Sequence, residues 1–150
     1  MKAAQRRLYV AEPPAVYLSR PPLVVDCSVL CALLFEEPTR DQALQQMAGR
    51  SLHAPWLIEH EVVSVATKKQ AQGWAEESIH DALADYHKQR LELHGTDVSA
   101  QFELAQRYGL SPYDAAYLWL AAEMNAPLAT FDRQLGKAAQ RHLDPRAAQE

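Results

Sequence analysis

The chain has 150 residues, 48% of them hydrophobic, with 15 Lys plus Arg against 19 Asp plus Glu and a formal net charge of −4. That length fits one globular unit with its own core. The negative balance excludes whole-protein attraction to a polyanion, so a nucleic-acid ligand needs local basic patches or a bound cation.

Residues 1–22 carry Pro13, Pro14, Pro21 and Pro22, which favour extended backbone, and read as an irregular arm. They also contain Lys2, Arg6, Arg7 and Glu12 with no long apolar run, so the arm is expected to be neither a signal peptide nor a membrane span, and the protein cytoplasmic. Residues 23–26 form the first expected strand. Helices are expected over 28–35 and 41–47, the second stopping at Gly49, and "SLHAP" (51–55) is a strand. Pro55 suits the start of a helix from Trp56 to about Gln70, and residues 74–90 form a further amphipathic helix. "LELHG" (91–95) is the next strand, residues 98–108 a helix closed by Gly109, and Ser111 with Pro112 opens another that reaches Met124. "PLATFD" (127–132) is the last strand and residues 133–141 the last helix. Strands alternate with helices throughout, which makes a parallel sheet flanked by helices the economical α/β fold. Cys27 and Cys31, the only cysteines, stand i, i+4 on a helix and read as buried thiols in a reducing compartment rather than a disulfide framework or a zinc site.

Four acids sit where charge is unexpected. Leu57, Glu61 and Val65 form one i, i+4 row flanked by Ile58 and Val62, which puts Glu61 on the face to be buried, while Glu59 points to solvent. In "SPYDAAYLWLAAEM" the helix is apolar nearly all round, and Asp114 is its only charge before Glu123. Asp26 follows "LVV" and Asp132 follows "PLATF" at strand ends, and in a parallel α/β sheet both emerge at the edge where ligand sites lie. Each has a structural alternative. Asp26 and Asp132 are good N-caps for the helices that follow them, Asp114 completes a capping-box-like start with Ser111, and Glu61 requires an inward-reaching base or escape to a face edge. Four ionised carboxylates at one edge repel by roughly 4 kcal/mol per pair at ~4 Å in an effective dielectric of about 20. Something positive must offset this.

Oxygen donors without His or Cys suit Mg2+ or Mn2+, and such an ion beside a phosphate supports phosphodiester hydrolysis. Zinc is disfavoured, because His53, His60, His80, His87, His94 and His142 show no pair at metal spacing with a Cys or an acid.

The segments "VVDCSVLCALLFEEP" (24–38), "APWLIEHEVVSVATKK" (54–69) and "YGLSPYDAAYLWLAAEMNAPLATFDRQLGKAA" (108–139) resemble, in order and spacing, PIN domains, and more narrowly the VapC toxins of type II toxin–antitoxin systems. The likeness runs from about Leu23 to Leu143. It implies a three-layer α/β/α fold over residues 23–150, with Asp26, Glu61, Asp114 and Asp132 as the catalytic, metal-holding acids. Ser28 and Thr130 match small hydroxyl positions that orient a carboxylate or a metal-bound water. The resemblance further implies Mg2+- or Mn2+-dependent cleavage of RNA, a homodimer, and inhibition by a cognate antitoxin protein. The arm before Asp26 departs from the family, whose members begin their first strand within a few residues of the start.

Lys68, Lys69, Arg133 and Lys137, beside two of the acids, are the candidate RNA phosphate contacts, against the plainer reading of solvated helix ends. Trp56, Trp74 and Trp119 are expected to pack in the core rather than stack on bases. Two other classes compete. A phospho-acceptor receiver-like module also ends its first strand on an acid, but "PLATFD" presents an acid where that module needs a Lys. A catalytically idle PIN scaffold that only binds RNA or protein would not need the full acidic set.

Overall fold

The structure, a computed structural model, describes Tyr9, residues 20–144 and Arg146. The expected proline-containing arm therefore lies outside the described residues except for Tyr9 and residues 20–22.

Strand β1 (Pro22–Val25) opens the fold and is followed by helices α1 (Cys27–Leu34) and α2 (Arg40–Met47). Strand β2 (Ser51–Pro55) leads into α3 (Ile58–Ala71) and α4 (Glu76–Lys88). Strand β3 (Glu92–His94) leads into α5 (Val98–Tyr108) and α6 (Pro112–Glu123), and β4 (Leu128–Ala129) into α7 (Arg133–Leu143). All pairings are parallel, in the order β3-β2-β1-β4, with Val24 opposite both His53 and Leu128. The expected three-layer α/β/α architecture is what forms. Parallel crossovers are almost always right-handed, so the steps from β1 to β2 to β3 lay α1 to α4 on one face. The return from β3 across to β4 lays α5 and α6 on the other, and α7 packs against α6.

Leu23, Val24 and Val25 are each at most 2% exposed, as a central strand covered on both faces requires. Pro22 opens β1, the strand position where a missing N–H does least harm. Helix α6 is the spine of its layer. Ser111 caps it by accepting from the Asp114 N–H at 3.1 Å, Pro112 supplies its first turn, and Ala115 through Leu118, with Leu120 and Ala121, are buried. Gly109 ends α5 in the left-handed region at φ 61°, a conformation natural to glycine. Cys27 and Cys31 are buried free thiols, their sulfurs 3.4 Å apart.

The last strand is shorter than expected. Only Leu128 and Ala129 pair; beyond them Thr130 hydrogen-bonds Asp26 and the Phe131 N–H donates to Ser28. Trp56 departs from expectation as well: it stands 58% exposed in the turn before α3, while Trp74 packs edge-on against Phe35 and Trp119 is partly buried on the core.

Leu118 is fully buried. We therefore expect Leu118→Ala to lower the unfolding free energy by about 2–5 kcal/mol in urea titrations, whereas Val63→Ala, on the exposed face of α3, stays within ~0.5 kcal/mol.

Candidate active site

The chain leaves β1 toward one helical layer and leaves β4 toward the other, and a crevice opens between the carboxyl ends of these neighbouring strands. Asp26 stands at its base, 4% exposed. Its Oδ1 accepts from the Val29 N–H at 3.1 Å, capping α1, and from the Ser28 hydroxyl at 2.6 Å. Its Oδ2 accepts a short bond from the Thr130 hydroxyl. Both hydroxyls are themselves held by the turn after β4: Ser28 Oγ accepts from the Phe131 N–H and Thr130 Oγ1 from the Asp132 N–H, each at 2.9 Å. With their acceptor sides taken by backbone, the two hydroxyl protons are directed at Asp26.

Asp132 caps α7, accepting from the Leu135 N–H at 2.7 Å. The structural alternatives for Asp26 and Asp132 are thus realised, and they coexist with a shared site. Glu61, half-buried on α3, has no base opposite it. It accepts instead from the hydroxyl of Tyr117 on α6 at 2.7 Å. Glu59 points outward, where the Tyr86 hydroxyl donates to it at 3.0 Å.

Proton affinities report how close the acids lie. Burial pushes Asp26 above the ordinary carboxylate range, opposed by its hydroxyl and backbone donors and reinforced by the charge of Asp132. Glu61 is also raised, chiefly by burial, against the Tyr117 bond and with the charges of Asp26 and Asp114. Asp114 is raised by burial and then by Asp132 and Asp26. Asp26, Glu61 and Asp114 therefore each feel the charge of at least one other acid.

Among the described residues, no Lys, Arg or His lies within 4 Å of any of these four carboxylates. A cluster of negative charge without an internal counterion fits a hard divalent cation. No three of the four acids bring their oxygens within 4.8 Å of one another. The four acids are therefore spread around the crevice rather than packed about one point.

A groove of about 580 Å³ borders Glu61, lined also by Lys68, Tyr113, Cys27, Leu57 and His60 among others. Lys69 is engaged elsewhere: it pairs with Glu37 at 3.7 Å and lies over the rings of Phe35 and Trp74. Arg133 and Lys137 are exposed on α7 beside Asp132.

Sequence reasoning missed Tyr117, which looked like one more core residue of an apolar helix. The available signal was its i, i+3 spacing from Asp114, which sets both on one helix face. It also missed the meeting of His53 with Glu92 and His94 across β2 and β3, which overturns the expectation that no histidine stands with an acid at metal spacing. Pairing between strands 41 residues apart leaves no spacing pattern along the chain.

Fold and crevice together define a nuclease-like α/β domain with an acidic site at the sheet edge. Residues 23–140 match the sequence profile described as PIN domain. Ribonuclease VapC3 of Pyrobaculum aerophilum is 31% identical over 121 residues, covering 77% of this chain and 92% of its own. Ribonuclease VapC9 of Mycobacterium tuberculosis is 32% identical over 120 residues, covering 79% and 91% respectively. The crystal structure of PAE2754 from Pyrobaculum aerophilum superposes with a TM-score of 0.60 at 20% identity, over 87% of this chain and 97% of that one. The chain belongs to the PIN-domain family, within its VapC-like branch.

An acid whose pKa is raised by folding binds its proton more readily folded than unfolded. The stability it contributes is full below the ordinary carboxylate range and is lost as pH climbs through the raised value. For Asp26, Glu61 and Asp114 that window lies above 3.8 to 4.5. Asp114→Asn is accordingly expected to raise the Tm of the chelator-treated protein at pH 7, with the gain shrinking toward pH 4 and in millimolar Mg2+; scanning calorimetry across pH reads this directly.

Proposed function

We propose that the chain is a Mg2+- or Mn2+-dependent endoribonuclease that hydrolyses RNA phosphodiester bonds as the toxin of a type II toxin–antitoxin pair. The observation that carries the reading is the gathering of Asp26, Glu61, Asp114 and Asp132 at one sheet edge with no cationic partner within 4 Å among the described residues. VapC-like membership supports the substrate class, the partnership with an antitoxin protein, a homodimer, a cytoplasmic setting, and a PIN domain over residues 23–150.

In this reading the four acids hold the ion. Bound there, a hard divalent cation supplies a phosphate-binding position, a water of lowered pKa and neutralisation of charge growing on phosphorus. Ser28 and Thr130 hold both oxygens of Asp26 in one orientation and oppose the rise in its pKa that burial causes. Tyr117 does the same for Glu61. Lys68 in the groove and Arg133 and Lys137 on α7 receive RNA phosphates, and Lys69 joins them only by giving up its contact with Glu37. Trp56, exposed ahead of α3, is a stacking surface for an unpaired base. No helix among the described residues is long and apolar enough to cross a membrane.

The experiment is cleavage of single-stranded RNA with Mg2+ or Mn2+, with and without chelator. Asp26→Asn is expected to keep its circular dichroism spectrum and lose at least roughly 10²-fold in rate. Undiminished cleavage by this variant would falsify the proposal, and absence of Mg2+ or Mn2+ binding at millimolar concentration in calorimetry would favour an idle scaffold. Tyr117→Phe removes a bond that lowers the Glu61 pKa. It is expected to move the acidic limb of the pH–rate profile to higher pH while the alkaline limb stays in place.

A further inference from the structure

On the other side of β1 from β4, β2 and the edge strand β3 place three side chains on one face of the sheet. His53 pairs in register with Glu92, and His94 stands two residues further along β3 on the same side. His53 Nδ1 lies 3.0 Å from His94 Nε2 and 3.5 Å from Glu92 Oε2, and the three donor atoms all fall within 4.8 Å of one another. His53 is buried, whereas the Glu92 side chain is 69% exposed, so the cluster opens to solvent on one side.

Ser51 and His94 flank the two ring nitrogens of His53. With the Ser51 hydroxyl donating to the carbonyl of Arg20 at 3.3 Å, it accepts at its 3.0 Å contact with His53 Nε2, and in that tautomer the ring proton sits on Nε2. Nδ1 then carries a bare lone pair that faces a second imidazole and a carboxylate. The contact with His94 is satisfied if His94 donates. The neutral tautomer with its proton on Nδ1 satisfies these contacts without an ion, Ser51 then donating to Nε2; in the Nε2–H tautomer the contact with Glu92 sets one acceptor against another and calls for a cation between them. A metal ion meets the requirement while leaving both rings neutral.

We infer that His53, His94 and Glu92 form a binding site for one divalent transition metal of the zinc class, fastening the edge strand β3 to β2. Two imidazoles and a carboxylate are the donor set of zinc sites that keep a fourth position open, and in a tetrahedral site at ~2.0–2.1 Å the ligand nitrogens lie about 3.3 Å apart. The observed 3.0 and 3.5 Å bracket that value. Ser51 supplies the outer hydrogen bond that metal-bound histidines commonly make. The oxygen-only acids at the sheet edge suit a harder ion, so two cation chemistries occupy separate places. The fastening has a structural consequence. β3 is only three residues long, and its His94 carbonyl accepts from the Trp56 N–H at 3.0 Å, where β2 turns into the helix that carries Glu61.

The test uses the full chain stripped of metal with chelator and titrated with Zn2+ against a chromophoric indicator, alongside thermal melts. Wild type and Asp26→Asn are both expected to take up one equivalent and to melt higher with Zn2+. Ser51→Ala should bind roughly 10- to 100-fold more weakly, and His94→Gln more weakly still. Glu92→Gln, at an exposed side chain, is expected to lose affinity with its fold intact and serves if His94→Gln fails to fold. Equal binding by wild type and both ligand variants would overturn the inference. So would zinc uptake abolished by Asp26→Asn alone, which assigns the ion to the acidic edge, or no uptake by folded wild type at about 100 µM Zn2+, which leaves a Ser51–His53–His94 hydrogen-bonded relay.

Discussion

The carboxylate of Asp26 is the point on which the rest of the site depends. It ends the most buried strand of the sheet, caps the first helix, and is gripped on both oxygens by hydroxyls whose own orientation is set by the turn after β4. One ionisable group thereby ties together two strands that are 104 residues apart at the Asp26–Thr130 contact. Without the Thr130 hydroxyl the buried carboxylate would be short of a donor, a loss of about 1–3 kcal/mol or more for a charged group.

The clamp does not cancel charge. Hydroxyl and amide donors stabilise the ionised form of Asp26 without adding a positive group, and Tyr117 does the same at Glu61. A Lys or Arg in either place would have removed the repulsion and with it the reason for a cation to enter. The core of apolar strands and the alanine-rich α6 offsets the resulting strain, in the manner of sites where local rules are broken and the surrounding fold holds them.

Much of this was legible before any coordinates. The alternation of strands and helices follows from punctuation by Pro55, Gly73, Gly109 and Pro112, and Glu61 and Asp114 stood out because each interrupts an apolar face. Asp26 and Asp132 were readable as caps and as site residues, and they are placed as both. What stayed hidden depends on pairing across the sheet. The grip of Thr130 on Asp26 depends on the β1–β4 pairing, Trp56 is set outward by a turn that helical periodicity would have absorbed, and His53 meets Glu92 and His94 only through the β2–β3 register. Helix faces can be computed from spacing along the chain. Strand neighbours cannot, until the order of strands is known.

Charge also orders the events of RNA binding in the proposed reading. The chain is net negative, and its most concentrated negative charge lies where the scissile phosphate must arrive. A polyanion approaching that edge is repelled until a divalent ion has neutralised part of it, so cation entry must precede or accompany productive docking. The basic side chains positioned to offset the remainder are few. Lys68 lines the groove from Glu61, Arg133 and Lys137 flank Asp132, and Lys69 is held in place by Glu37 and two aromatic rings. Few phosphate contacts mean a shallow dependence of affinity on salt, and they leave the choice of RNA to the shape of the groove and to unpaired bases rather than to electrostatic attraction along a helix.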